Sequence, residues 1–538
     1  MSLDPSSLAV VIARLTGVAE EMGAVLRRAA YSPNIKERAD CSAALFTPAG
    51  ELVVQAEHIP VHLGSMPASV HAAIEASRAL SRGLRPGDQV LLNDPFEGGT
   101  HLNDLTLVAP CFVGGRLAGW AANRAHHADV GGMAAGSIPP EARQVHQEGL
   151  RIPPVLLTDE VAALLRANSR TPEERQGDLD AQVGANLVGV SRLGELAGEG
   201  APLGEVCDYG ERRMRAALAE VPSGSWTFTD VLDPPSAGPG ERAPGPTRIA
   251  LRLTITGEEA LFDFSGTDRE RPDSLNAVRA VTVSSVAFAL RAATDPTIPA
   301  NGGALRPVRV VAPEGTVVAA RYPAAVGAGN VEVSQRVADV CLGALSQALP
   351  GRVGAAGQGT MNNVMVGGRA PGTSTWSPDP GPRGPGPDGP VSEWVYYETV
   401  GGGQGGRPGR AGMSGVHTAM TNTLNTPIEA LERAFPLRVR RYRLRRGSGG
   451  EGRWPGGEGI ERDLVVLAPT TVSLVSDRRV SRPWGAAGGG PGAPGENWLL
   501  PGGDERRARR LPGAVTLTLA PGDVVRVLTP GGGGYGPP

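Results

Sequence analysis

Seven of the eight histidines fall within the first 146 residues, and three of them sit in dense polar clusters. The first cluster runs Asn93-Asp94-Pro95-Phe96-Glu97-Gly98-Gly99-Thr100-His101-Leu102-Asn103-Asp104. The second runs Asn123-Arg124-Ala125-His126-His127-Ala128-Asp129-Val130-Gly131-Gly132. His101 and Asp104 form an H-x-x-D pair just after a Gly-Gly step that lets backbone approach closely. Imidazole and carboxylate are standard ligands for Zn, Mn or Fe(II). Two ligands from one loop and a third from a neighbouring strand end leave coordination positions open for water or substrate, as metal-assisted hydrolysis needs. Successive residues of a strand point to opposite faces, so His126 and His127 are alternatives for the third ligand. Asp94 and Asp129 are candidates for a supporting carboxylate or a general base. His58 and His62 are further candidate ligands, or packed, hydrogen-bonded core residues. An isolated H-x-x-D pair also serves plain structural hydrogen bonding.

Other chemistries lack their residues. Lys36 is the only lysine beside 51 arginines, so a Schiff-base or P-loop lysine has one candidate, more readily a surface ion-pair partner. There is no G-x-x-x-x-G-K-[ST] loop and no G-x-S-x-G elbow. The glycine run Gly401-Gly402-Gly403-Gln404-Gly405-Gly406 lacks dinucleotide spacing, which leaves a structural turn or a backbone anion cradle. The tail Pro530-Gly531-Gly532-Gly533-Gly534-Tyr535-Gly536 reads as a frayed end or a docking segment. Cys41, Cys111, Cys207 and Cys341 form no C-x-x-C and read as buried small hydrophobes.

The elements that must carry these residues are of mixed type. The 538 residues allow several domains, and a net charge of −3 gives no electrostatic case for nucleic acid or an anionic membrane as partner. No apolar run reaches the ~18 residues of a membrane span, and the first residues lack signal-peptide order. The expectation is a cytoplasmic protein. Helical periodicity covers 6–30, a helix is expected near 67–81, and 158–220 reads as a charged, mostly helical stretch. Strands are expected at 42–46, 51–55, 90–93, 105–112 and 117–123, the last two joined across Val113-Gly114-Gly115-Arg116 as a hairpin. Further strands fall at 226–231, 248–256, 260–264, 308–312 and 316–319, with helices over 276–293 and 331–349. Residues 367–390 hold seven Gly and seven Pro in 24 positions, the composition of a flexible insert. Short strands with glycine-rich turns follow. The expected fold is mixed α and β (α+β), in several lobes with a β-rich C-terminal third. The divisions are 1–157 with the candidate metal site, 158–222 mainly helical, 223–366 α/β, the insert at 367–390, and 391–538 β-rich.

Taken in order, these clusters resemble the hydantoinase B/oxoprolinase family. The likeness extends over Asn34-Ile35-Lys36-Glu37-Arg38-Ala39-Asp40-Cys41-Ser42, His58-Ile59-Pro60-Val61-His62-Leu63-Gly64-Ser65-Met66 and both histidine clusters. It continues through Gln147-Glu148-Gly149-Leu150, Asp263-Phe264-Ser265-Gly266-Thr267, Tyr397-Glu398-Thr399 and Asn425-Thr426-Pro427-Ile428-Glu429. Departures lie towards the C-terminus, where Ala411-Gly412 and Pro455-Gly456-Gly457 replace the usual Asp-Gly and Arg-Gly-Gly.

The resemblance implies a B-type subunit or half of an ATP-dependent cyclic amide hydrolase, acting on a lactam such as 5-oxoproline or a hydantoin. It implies an actin-like A-type partner that binds ATP, in a hetero-oligomer. It implies a divalent metal (Zn, Mn or Fe) on His101, Asp104 and His126, with His127 as the alternate. ATP would phosphorylate the lactam oxygen in the partner, and this chain would direct water to the activated carbon. Two other expectations compete: a carboxylase subunit like that of acetone carboxylase, and a non-catalytic scaffold for the ATPase.

Overall fold

The computed structural model describes residues 4–56, 59–235, 245–371 and 391–538. His58 and most of the expected insert, 372–390, lie outside them. The opening helix α1 (Pro5–Ala29) starts on an Asp4 cap that accepts from the Ser6 and Ser7 N–H groups, with Pro5 in its first turn. A single turn, α2 (Pro33–Lys36), leads into a six-stranded antiparallel sheet. Its strands are β1 (Cys41–Phe46), β2 (Leu52–Ala56), β3 (Val90–Leu92), β4 (Asp104–Val113), β5 (Arg116–His126) and β6 (Val155–Leu156), in the order β2-β1-β5-β4-β3-β6.

Both faces of this sheet are covered, which is why β1 is buried at every position. Ala44, Phe46, Val90, Leu92, Trp120 and Ala122 pack under α3 (Met66–Arg78). Ala43, Leu45, Cys111 and Ala121 pack under α1 and the long helix α5 (Pro172–Gly198), which follows α4 (Asp159–Asn168). The alternation of faces along each strand thus sorts its residues between two helical layers.

The chain continues through α6 (Leu203–Ala219) into a four-stranded sheet, β7 (Gly224–Leu232), β8 (Thr247–Thr256), β9 (Glu259–Asp263) and β10 (Val308–Val311), in the order β10-β9-β8-β7. Helices α7 (Arg279–Ala293) and α9 (Ser334–Ala348) are buried beside it, with the short α8 (Gly302–Leu305) between them in sequence. The expected helix from 276 begins three residues later, because the Asn276 amide is held by the Arg271, Asp273 and Ala325 carbonyls. The expected strand at 316–319 is a tight Thr316–Ala319 bridge instead. A five-residue π turn, Gly329–Val333, leads into α9, a break in regular helix often associated with functional sites.

Two further sheets make the C-terminal part. One joins β11 (Asn363–Pro371), β12 (Val391–Thr399), β15 (Thr470–Val475) and β18 (Ala514–Leu519) in the order β12-β11-β15-β18. The other joins β13 (Leu437–Arg445), β14 (Gly459–Val466), β16 (Glu496–Leu500), β17 (Arg509–Leu511) and β19 (Val524–Leu528) in the order β13-β14-β19-β16-β17. Val366, Tyr396 and Leu474 of the first pack with Leu437, Leu464 and Val525 of the second, and α10 (Ile428–Ala434) adds Leu431. The fold is mixed α and β. Its largest core runs from Ile59 to Val475, so the regions are joined by a shared interior.

The glycine tail is neither frayed nor exposed. Gly531 to Gly534 are buried and lie backbone to backbone with the 403–406, 449–457 and 489–492 segments. The Gly406 N–H donates to Gly533 O, the Gly532 N–H to Gly457 O and the Gly534 N–H to Gly490 O, at 2.8–2.9 Å. The Gly401–Gly406 run is used for the same packing rather than as an open anion cradle. All four cysteines are free and buried. Among the described residues, no helix is long and apolar enough to cross a membrane.

Candidate metal centre

The hairpin β4–β5 sets the site. Its turn pairs Val113 with Arg116, but an irregularity between Cys111 and Phe112 shifts the register by one residue. The shift brings Asp104 directly opposite His126, on the same face of the sheet. His127, the next residue, turns to the other face, where its Nε2 lies 2.8 Å from Gln182 Oε1 on α5. His101 returns from the Gly98–Gly99 loop, with its Nε2 3.1 Å from Asp104 Oδ1. His126 Nδ1 lies 3.5 Å from the same oxygen. Among the described residues, His101, Asp104 and His126 form a group whose ligand atoms all lie within 4.8 Å of one another.

The hydrogen bonds around the group decide what it can do. His101 Nδ1 lies 3.1 Å from Gly327 O, an acceptor only, so the ring proton sits on Nδ1. Nε2 of a neutral His101 then presents a lone pair to the Asp104 carboxylate. Asp104 Oδ2 accepts from Thr100 Oγ1 at 2.7 Å and from Asn330 Nδ2, on the π turn, at 3.3 Å. Among the described residues, Oδ1 has no such donor, and neither His101 Nε2 nor His126 Nε2 has a hydrogen-bond partner, although all three atoms are buried. Two acceptors 3.1 Å apart in a dry interior call for a positive charge between them. That charge is a metal ion or a proton on His101. The donor set of two nitrogens and one carboxylate oxygen fits a Zn, Mn or Fe(II) ion.

The titration behaviour follows from the same contacts. Burial opposes charging His101, but Asp104 and the Gly327 carbonyl outweigh it and raise its pKa. Burial would raise Asp104, but His101 and His62 hold it well below the usual carboxylate range. Burial lowers His126, and pushes His127 down to about 4. His62 lies at the edge of the group, Nε2 3.5 Å from Asp104 Oδ2 and Nδ1 2.9 Å from Ser42 Oγ.

Asp94 and Asp129 stand elsewhere. Asp94 caps the 95–97 turn through the Phe96 N–H and pairs with Arg151 Nε at 3.2 Å, and burial raises its pKa. Asp129 accepts from the Gly131, Gly136 and Arg170 N–H groups and pairs with the Arg170 guanidinium at 2.8 Å. Both carboxylates are committed to loop structure, so the structure does not bring them to the cluster as general bases. Four site residues come from distant parts of the chain. Gly327 and Asn330 carry no local signal. Tyr397 stacks on His126 with ring centroids 4.7 Å apart. Glu148 accepts the Gly327 N–H at 2.8 Å, and burial pushes its pKa up to about 8. Tyr397 and Glu148 both lie in stretches that carry the resemblance.

The hydantoinase B/oxoprolinase family model matches residues 4–538. The chain belongs to the hydantoinase B/oxoprolinase family. It is 40% identical to an uncharacterized protein of Methanocaldococcus jannaschii, over all of this chain and 91% of that protein. It is 36% identical to 5-oxoprolinase 1 of Arabidopsis thaliana over 99% of this chain, but it spans only 42% of that longer relative. It is 30% identical to a putative B-type D-/L-hydantoinase subunit of a Pseudomonas species, covering 90% of it. Among solved structures, the ATP-dependent caprolactamase of Pseudomonas jessenii superposes with a TM-score of 0.87 at 29% identity, over all of this chain and 92% of that one. A nucleotide-free acetone carboxylase structure gives the same TM-score at 18% identity, a likeness of fold.

Proposed function

We propose that this family member is the water-directing component of an ATP-dependent cyclic amide hydrolase, acting on 5-oxoproline, a hydantoin or a related lactam. An A-type, actin-like subunit would bind ATP and phosphorylate the amide oxygen, forming a hetero-oligomer with this chain. Relatives named for lactam and hydantoin chemistry, at 29–36% identity, support the reaction class. The observation that carries the reading is the buried approach of His101 Nε2 to Asp104 Oδ1 at 3.1 Å.

His101, Asp104 and His126 would hold the metal. When bound, the metal lowers the pKa of water towards ~7 and stabilises negative charge on oxygen. The chain's own residues do the positioning. Gly327 O fixes the His101 tautomer, with the Glu148 carboxyl anchoring the Gly327 N–H from behind. Thr100 and Asn330 hold Asp104 Oδ2 and so leave Oδ1 facing the two imidazoles. The Tyr397 ring fixes the plane of His126. The cavity beside Asp104 and His126 is lined on its apolar side by Ile59, Val61, Val331 and Met361 and measures about 20 Å³, room for one water.

The test is co-expression with the A-type subunit, followed by ATP hydrolysis assays with 5-oxoproline, hydantoins, or acetone plus bicarbonate. ATP use coupled to ring-opened product is expected. ATP use only with ketone and bicarbonate moves the chain to carboxylation. A stable complex that turns over none of them removes this reading.

A further inference from the structure

A space of about 20 Å³ beside Asp104 and His126 cannot hold a lactam ring, so a substrate bound for these side chains must first occupy a neighbouring space. One lies behind a shared wall. Ile59 lines the small cavity and also a groove of about 230 Å³. The irregular strap at 417–424 forms another part of the partition. Its Thr421 and Thr423 line the small cavity, and Asn422 between them lines the groove.

The groove has the make-up of a small-molecule site. Pro60, Leu63, Phe288 and Pro296 give it apolar walls, and Gln55, Asn422 and Arg291 add polar groups. Pockets for drug-sized ligands run to about 300–1,000 Å³, so this one suits a single small ring with a substituent. Gln55 points to the chemistry of that ring. It stands opposite Ala44 in the β1–β2 pair, so its side chain leaves the sheet on the face under α3, whose lead-in residues Pro60 and Leu63 line the groove. Gln55 is 6% exposed, and neither its Nε2 nor its Oε1 has a hydrogen-bond partner among the described residues. A buried amide without partners is costly, and a ligand that supplies them removes the cost. A cyclic amide presents its nitrogen and oxygen side by side on one edge. A primary carboxamide, with its own NH₂ and C=O side by side, is suited to meet that edge.

We propose that this groove receives the cyclic amide, with Gln55 reading its amide edge, and that the strap yields to bring the ring to the metal-binding side chains. The strap is the weakest wall of the small cavity. Among the described residues, its backbone bonds are Thr421 N–H to Thr418 O at 3.4 Å and Leu424 N–H to Arg38 O at 3.1 Å. The opposite walls are firmer: β4 and β5 pair along their length, and Val331 belongs to the largest core. Segments with few backbone hydrogen bonds open at low cost. This inference rests on the hydrolase reading above.

The full chain carries the test, with the variants Ala292→Trp, Ala292→Ser and Gln55→Leu. Ala292 lines the groove and is exposed, so tryptophan there fills the groove without entering the core. Calorimetric titration uses 2-pyrrolidone, 5-oxoproline and hydantoin as probes. Ala292→Trp and Gln55→Leu are expected to weaken lactam binding at least about tenfold with metal content unchanged, and Ala292→Ser to bind like the parent. Gln55→Leu is expected to melt no lower than the parent, because leucine removes an unpartnered amide; a glutamine with a purely structural role would show a fall. Hydrogen exchange over 417–424 is expected to change when lactam is added to the parent and not in Ala292→Trp. Unchanged exchange of the strap with lactam bound overturns its part as the moving wall. In the complex with the A-type partner, both weakened variants are expected to raise KM at least about tenfold, and this arm decides where the chain alone binds no probe. Binding lost in both variants supports the groove even if the parent complex opens no ring and the hydrolase reading falls. Ring opening by both variants at the parent's KM, or lactam binding equal in parent and variants, overturns the groove and leaves that reading standing. A parent that neither binds a probe nor opens a ring overturns both.

Discussion

Tyr397 lies nearly flat against His126, with ring centroids 4.7 Å apart and an angle of 15° between the planes, while its hydroxyl donates to Asn363 Oδ1 at 2.9 Å. The stack and the hydrogen bond belong to different parts of one side chain, so substitutions separate them. Tyr397→Phe keeps the stack and leaves Asn363 Oδ1 short of a donor, at a cost of about 1–3 kcal/mol. Tyr397→Ala removes the ring and opens a cavity, at about 3–5 kcal/mol. Metal titration and denaturant melts of both variants check this. Phe is expected to bind metal like the parent and Ala more weakly; equal metal affinity in Ala means that the stack does not orient His126.

The register of β4 and β5 assigns different roles to the adjacent histidines. His126 stands opposite Asp104, and His127 faces Gln182. Asp104→Asn and His101→Ala are therefore expected to lose bound metal and at least about a hundredfold in turnover with the fold retained. His127→Gln is expected to keep metal and to act through stability alone. Elemental analysis of the purified variants decides it. Metal loss in His127→Gln together with retention in Asp104→Asn would reverse the assignment.

Much of this site can be read in the sequence, and its limits are physical. Val113-Gly114-Gly115-Arg116 announces the β4–β5 hairpin, and the H-x-x-D spacing announces two of the three ligands. The choice between His126 and His127 depends on a one-residue register shift near Cys111, which no local pattern encodes. Gly327 and Asn330 reach Asp104 and His101 across more than 200 residues of chain, through a π turn whose sequence reads as ordinary helix. Asp94 and Asp129 look catalytic beside histidines, yet each satisfies loop N–H groups and an arginine. The tail glycines look loose because glycine runs usually are, and only the packing partners show otherwise.

Glu332 gives the stability a pH dependence. Its Oε1 accepts from the Met361 N–H and from Asn363 Nδ2, and burial pushes its pKa up to about 8, with Asp477 adding to the effect. A carboxyl whose folded pKa is raised binds its proton more tightly when folded. Its contribution is therefore fully present below the unfolded value of ~4.3 and lost as pH rises towards 8. Glu332→Gln stays neutral throughout. The stability of the parent relative to this variant is expected to fall between about pH 5 and pH 8, measured by denaturant melts at both. A constant difference across that range would show that Glu332 is ionised in the folded protein throughout.

The glycine segments yield opposite outcomes for one kind of substitution. A Cβ on Gly403 would run into Gly457 O and the Gly532 N–H, both backbone atoms that cannot swing aside. Gly403→Ala is expected to cost about 3 kcal/mol or more by overpacking, and to separate the tail from the 401–406 segment. Gly184 lies inside α5 with nothing within 4 Å of an added Cβ. There, alanine removes backbone freedom from the unfolded chain, and Gly184→Ala is expected to stabilise by about 0.5–1 kcal/mol. Thermal melts of the two variants beside the parent test the pair. If Gly403→Ala melts with the parent, the tail does not form a close-packed part of the folded protein, and the backbone-to-backbone account of the glycine run fails.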